Sequence, residues 1–387
     1  YDIDYVAHEI GHQFGGNHTF NANTGSCNGN GSSTSNAEPG SGTTIMAYAG
    51  ICTATNDLQP HSDPQFHAIS FDQIGTFTRS GAGSGCGTAI ATGNTAPVVS
   101  AGSDYTIPIS TPFTLTGTAT DINGDAITYS WEQEDVGGPF FFFYAPSGAA
   151  PLFRSFTPQT NGSRTFPRMS DIVNNTTTIG EILPGYARVI KFRLTARDNR
   201  AGGGGICYDE STITTSGATA FNVTSQPTAV TWTANGSNTA AITWTVAGTT
   251  AAPFNVSNVD ILLSVDGGYT YPYTLVSNTA NDGTETIIIP SATTNKGRIM
   301  VRSIGNVFFD INLGDITIIS ACSAEGAVIA PSTTVTAVAG NAALNLGLSP
   351  QYSNPLTIAG TLQTTDPVSS LSVLNTATSA CASFLNE

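Results

Sequence analysis

Three of the five histidines in this 387-residue chain fall within its first eighteen positions, in the stretch VAHEIGHQFGGNHTF. No other stretch constrains local structure so tightly. On an α-helix, side chains four positions apart lie one above the other. His8 and His12 therefore project from one face, at a separation that a single metal ion can bridge. Glu9 points about 100° further round the helix, where its carboxylate reaches a water on the metal without displacing a histidine. A continuing helix cannot return position 18 to the same ion, so the chain has to turn sharply after His12. Gly15 and Gly16 permit that turn, because glycine takes positive φ without steric cost. His18 then closes the set as third ligand and leaves the fourth tetrahedral position to water, the arrangement of a catalytic zinc and not of a sealed structural one.

HEIGHQFGGNH matches the HExxHxxGxxH pattern of the metzincin metallopeptidases at every fixed position. Further on, TTIMAYAG resembles the Met-turn of that family, which implies that Met46 lies in the hydrophobic floor under the metal. The wider text, with EPGSGTTIMAYAGIC and SDPQFHAISFDQI, is similar to reprolysin-like zinc peptidases of secreted multidomain bacterial proteins, those of Bacteroidetes in particular. Snake-venom-type reprolysins carry Asp after the third histidine and Pro two residues after the methionine, whereas this chain has Thr19 and Tyr48. Tyrosine at the second place resembles the astacin and serralysin pattern, which implies contact with the metal or the transition state; a packed wall residue is the other reading of Tyr48. The resemblance implies zinc held by His8, His12 and His18, Glu9 as general base, Gly15 as the turn glycine, and a protein or peptide substrate. It also implies an upstream half-domain that supplies the edge strand for substrate. Only Tyr1 to Ala7 precede His8, so residues 1–90 are expected to be the C-terminal part of such a peptidase domain, with an apolar side of the zinc helix in need of cover.

Asp63 before Pro64 reads as a helix N-cap with proline in the first turn. Phe66, Ile69, Ile74 and Phe77 then form one apolar face, which predicts the last helix of the peptidase region. His61 and His67 are read as having no part in the metal site.

Lys and Arg number 12 against 27 Asp and Glu, a formal net charge of −15. Such a chain repels nucleic acid and anionic membrane surfaces. No run approaches the roughly 20 apolar residues that span a bilayer; the longest, Phe140 to Tyr144, is far shorter. The six cysteines contain no CxxC pair, so disulfides of a secreted or cell-surface protein are a better reading than a cysteine metal site. Cys27 with Cys52 and Cys322 with Cys381 are the expected pairs. Cys86 is left between an upstream partner, Cys207 and a free thiol, and buried free thiols are the alternative for all six.

Beyond about residue 90 the texture changes to short Thr, Val, Ile and aromatic runs broken by Gly, Pro, Asn and Asp, the pattern of antiparallel sandwiches. The predicted fold is therefore mostly β: the helical C-terminal half of a metzincin catalytic domain, then tandem β-sandwich domains. Residues 91–225 resemble a PKD or immunoglobulin-like module with a long insertion. Its strands are expected around Phe113 to Ala119 and Ala126 to Glu132, joined in a hairpin at Asn123-Gly124, with Trp131 in the core, RVIKFRLTARDN as returning strand and FNVTS closing the domain. Residues 226–319 resemble a fibronectin type III domain, with strands around Trp232 and Trp244 and a hairpin at Asp266-Gly267. Residues 320–387 continue the β texture as a further, incomplete-looking domain.

Three features outside the zinc motif invite functional readings. DINGD offers Asp121, Asn123 and Asp125 as calcium ligands, with a plain turn as the alternative. FFFFY is either a platform for extracellular peptide or glycan or a strand buried on both faces. The run Gly202 to Gly205 is a loop, since no strand-to-helix transition follows it. Together the residues point to a secreted zinc endopeptidase whose sandwiches serve adhesion or substrate binding. The alternative is a surface adhesion protein with an inactive or incomplete peptidase region.

Overall fold

The structure, a computed structural model, describes residues 2–138 and 146–320. The FFFFY segment, the Cys322–Cys381 pairing and all but the first residue of the 320–387 domain lie outside the described residues.

The chain opens on a π-helical stretch, Asp2–Ala7, that runs into α1 (His8–Gln13). Val6, Ile10 and Phe14 recur every fourth residue along this helix and are about half exposed, as is Tyr5. From there to residue 67 the chain is almost entirely turns and loops. Cys27 and Cys52 are joined in a disulfide and share a small core with Phe20, Ala22 and Tyr48. Among the described residues, Cys86 and Cys207 carry free thiols.

The next helix, α2, spans Ala68–Arg79. Asp63-Pro64 does not start it. His67 is the N-cap, its Nδ1 accepting from Ile69 N at 3.1 Å, because the backbone before it is tied elsewhere: Asp63 N donates to Thr43 O and Ile45 N to Gln65 O. Proline bias toward a first turn yields here to the backbone bonds of this segment with the loop before Met46.

Mostly β structure follows. The first sandwich holds β1 (Val98–Ser100), β2 (Tyr105–Pro108), β3 (Phe113–Thr116), β4 (Thr118–Thr120), β5 (Thr128–Gln133), β6 (Ser163–Phe166), β7 (Arg188–Arg197) and β8 (Ile206–Ser216), with a short α3 (Met169–Val173) after β6. Its main sheet runs β2-β8-β7-β5, faced by the pairs β3-β6 and β1-β4. The second holds β9 (Asn222–Val223), β10 (Val230–Ala234), β11 (Thr239–Thr245), β12 (Asn258–Ser264), β13 (Tyr273–Ala280), β14 (Thr284–Ile288), β15 (Thr294–Ser303), β16 (Phe309–Ile311) and β17 (Ile316–Ser320). Here β10-β17-β15-β12-β13 face β14-β11-β9. Ladders are antiparallel except for β2 with β8 and β10 with β17 among the described residues, where the second strand of each sandwich lies along the last.

Two local readings are corrected. No hairpin forms at Asn123-Gly124: β4 pairs with β1, and β5 with β7. The turn itself is present, with Asp121 Oδ1 accepting from Asn123 N and Asp125 N, but the side-chain turn redirects the chain between sheets and does not fold it back on itself. FNVTS does not close the first sandwich either, because Val223 pairs with Trp244 of β11. Trp131 is buried, 4% exposed, with its Nε1 donating to Gly162 O.

Candidate metal centre

The end of α1 follows from its glycines. Gly16 N donates to Gly11 O at 2.9 Å and Gly15 N to His12 O at 3.0 Å, the paired bonds that close a helix through a left-handed residue. Gly15 supplies that residue at φ +85°. The reversal carries His18 back over the face that bears His8 and His12. The Nε2 atoms of His8 and His12 are then 3.2 Å apart, those of His8 and His18 3.2 Å, and those of His12 and His18 3.1 Å.

The other ring nitrogens decide what this triangle is. Nδ1 of His8 donates to Ile45 O at 2.7 Å, that of His12 to Gly16 O at 2.7 Å and that of His18 to Asn30 O at 2.5 Å. A carbonyl only accepts, so each Nδ1 carries a proton and each ring turns its Nε2 inward, the nitrogen that bears the lone pair in the tautomer so fixed. Three lone pairs converging on one point repel unless a cation lies between them. Nitrogens about 2.0–2.1 Å from a tetrahedral zinc stand about 3.3–3.4 Å from one another, so the donor set fits that ion. Desolvation by burial lowers the pKa of His8 and of His18, which keeps the rings in the neutral form that a metal requires.

Glu9 is exposed on α1 beside His8, and its charge acts on His8, His18 and Tyr48. The Tyr48 ring stands 4.5 Å from that of His18 and 5.5 Å from that of His8, centroid to centroid, and packs on Phe20. Burial, then the Glu9 charge, raises its pKa, so the phenol stays protonated as a wall of the site. Met46 is fully buried behind α1: a Cβ on Gly11 would fall 2.3 Å from Met46 Sδ, and Met46 O accepts from Thr19 N. His61 is exposed and pairs with Asp4, while His67 is the α2 cap.

A residue that motif reading missed organises the loop. Glu38, 1% exposed, accepts from Thr43 N at 2.8 Å, Thr44 N at 3.2 Å, Thr44 Oγ1 at 2.6 Å and Thr19 Oγ1 at 2.5 Å. It thereby ties the residue after the third histidine to the loop before Met46. One signal was available, since Glu38 is the only charged residue between Glu9 and Asp57. Gly11 was likewise missed, because nothing local reveals which methionine will press against it.

Of the calcium reading, Asp121 and Asp125 come together with Asp198 of the β7–β8 turn, carboxylate oxygens of the three lying within 4.8 Å of one another, while Asn123 Oδ1 accepts from Thr95 N. Both Asp198 oxygens already accept from Gly205 N, and Arg200 reaches Asp125, so protein donors neutralise much of the cluster.

Residues 1–70 match the family described as metallo-peptidase family M12B, reprolysin-like. The match covers α1, the TTIMAYAG segment and the loop between them. No curated protein matches the chain. Among solved structures it is similar to the fibronectin(III)-like modules of Clostridium thermocellum CbhA, at 10% identity over 58% of this chain and 95% of that one, with a TM-score of 0.21. Drosophila N-cadherin EC1-4 follows at 12% identity, 59% and 50% coverage and a TM-score of 0.20. A chimeric titin Z1Z2 tandem gives 14%, 58%, 99% and 0.20. Scores this low carry no argument, and the β-sandwich architecture rests on the strand pairings above. Among the described residues no helix is long and apolar enough to cross a membrane.

Proposed function

We propose that the N-terminal region is the metal-bearing part of a zinc-dependent endopeptidase that acts outside the cell on protein or peptide substrates. The observation that carries this reading is the triangle of three inward-facing Nε2 atoms, each ring with its Nδ1 committed to a carbonyl. The reprolysin-like match over residues 1–70 supports peptide-bond hydrolysis as the reaction. A disulfide beside the site supports an oxidising, extracellular setting.

His8, His12 and His18 would hold the ion. When bound, zinc supplies a Lewis acid that polarises a carbonyl and lowers the pKa of water from about 15.7 to about 7. Glu9, free to face solvent, takes the proton from the attacking water and returns it to the departing amine. Tyr48, kept protonated, offers its hydroxyl beside the ligands as a donor to the developing oxyanion. Met46 and Gly11 keep the floor dry and close.

The test is zinc content together with casein cleavage by the full chain, compared with Glu9→Ala. The variant is expected to retain zinc and to lose about 10²–10⁴-fold in cleavage rate. Zinc-free protein, or undiminished cleavage by the variant, contradicts the reading; loss of zinc along with activity reassigns Glu9 to structure.

A further inference from the structure

His8 is aimed by the single bond from its Nδ1 to Ile45 O, so whatever fixes the Ile45 segment fixes the ligand. Part of that support comes from the first sandwich. Ile45 N donates to Gln65 O at 2.9 Å, and Gln65 Nε2 donates to Phe156 O at 2.8 Å. Two residues before Ile45, Thr43 Oγ1 donates to Ser155 O at 3.1 Å. Ser155 Oγ donates in turn to Glu132 Oε1 at 2.9 Å, while Glu132 Oε2 accepts from Ala68 N at 3.1 Å, at the start of α2. Thr43, Gln65, Glu132 and Ser155 are all buried, so water cannot replace a lost partner and each unpaired group bears its full desolvation cost. A carboxylate on β5 thus holds both the start of α2 and the segment that abuts the Thr43–Ile45 loop. An independent module joined by a linker has no need of such a residue at its surface, where burying an unpaired charge is costly.

We propose that the first sandwich is a structural part of the metal centre, with Glu132 as a positioning residue that, through Ser155–Phe156 and the Gln65 segment, sets the orientation of His8 and so the affinity for zinc. The inference rests on the zinc reading above. Partners beyond the ligands that orient a metal-binding histidine typically change affinity by about 10–100-fold when removed.

The test uses the full chain. Zinc affinity is measured by competition with a chromophoric chelator, and the visible spectrum of the Co²⁺-loaded protein reports ligand geometry. Glu132→Leu is expected to weaken zinc binding by about 10–100-fold and to shift the cobalt bands. Gln65→Leu, which removes only the bond to Phe156 O, is expected to move both in the same direction and carries the test if Glu132→Leu does not fold. Ile213→Val, in the core of the same sandwich, is expected to lower the melting temperature and leave affinity and spectrum at wild-type values. Wild-type affinity and spectrum in a folded Glu132→Leu and in Gln65→Leu overturn the proposal. So does equal weakening by Ile213→Val, which would mark general softening. If the wild-type chain binds neither Zn²⁺ nor Co²⁺, the zinc reading falls first and this inference with it.

Discussion

A methyl group added at Gly11 would stand 2.3 Å from Met46 Sδ, and Met46 is fully buried with no room to retreat. Gly11→Ala is therefore expected to destabilise the protein by about 1–3 kcal/mol, the usual cost of overpacking, and to weaken zinc binding because the displaced floor carries Thr19 and His18 with it. Chemical denaturation and chelator competition on the same preparation check both. Met46→Leu conserves volume and is expected to cost under about 1.5 kcal/mol with zinc retained; a folded Met46→Leu protein that cannot bind zinc would give the sulfur more than a packing role. The meeting of His8, His12 and His18 and the turn at Gly15 were legible because they are periodic and local, set by helix spacing and one left-handed glycine. Glu38 was not, because its meaning lies in donors that only the folded loop brings to it, and Gly11 because its partner lies 35 residues away.

Helix α2 lies on the first sandwich through a crowded charge cluster. Arg193 meets Asp72 of α2 at 2.9 Å, Glu134 at 2.7 Å and Glu210 at 2.8 Å, and stacks over Tyr208. One guanidinium facing three carboxylates leaves a proton to be held. Glu134 holds it, as the most enclosed of the three, with its side chain 11% exposed against 46% for Asp72 and 43% for Glu210. Burial pushes its pKa up to about 8, with Arg193 opposing and Glu210 reinforcing the shift. In the unfolded chain the same carboxyl ionises near its ordinary value of about 4.3. Between those values the folded state binds the extra proton, so this group's contribution to stability falls as pH rises and is lost above the folded pKa. Glu134→Gln, neutral throughout, is expected to flatten the decline in melting temperature between about pH 5 and about pH 8.5; an unchanged slope would contradict the assignment. At this level the sequence misled where a local signal had two outcomes. Asp121 to Gly124 forms its turn without a hairpin, and Asp63-Pro64 has cap chemistry without a helix, since long-range pairing chose the partners in both cases.

The two sandwiches share one continuous hydrophobic core that runs from Ala101 to Ile318. Phe308 bridges to Phe113 of β3 and packs on Phe221, while Asn306 Nδ2 donates to Thr106 O. Helix α3 of the first sandwich adds Val173 to a second cluster with Leu262, Met300, Phe309 and Ile311. Calorimetry is accordingly expected to give a single cooperative transition for the pair; two well-separated transitions would contradict a common core. Tandem sandwiches were readable from strand spacing alone, whereas their joint was not, because the turn after β15 meets β3 across nearly two hundred residues of chain. The same holds for the contact between the first sandwich and the N-terminal loops, where Thr43 and Gln65 bond to Ser155 and Phe156, so that a chain that reads as separate segments forms a connected body with its N-terminal helix.

That body is organised around one point in space, the meeting of three Nε2 atoms. X-ray absorption at the zinc edge on the metal-loaded full chain, repeated on His12→Ala, addresses it directly. The expected result is one zinc per chain with three imidazole nitrogens at about 2.0–2.1 Å and a remaining light-atom ligand, with one imidazole fewer or no zinc in the variant. Zinc bound through carboxylates, or a spectrum untouched by loss of His12, would contradict the metal centre described for this protein.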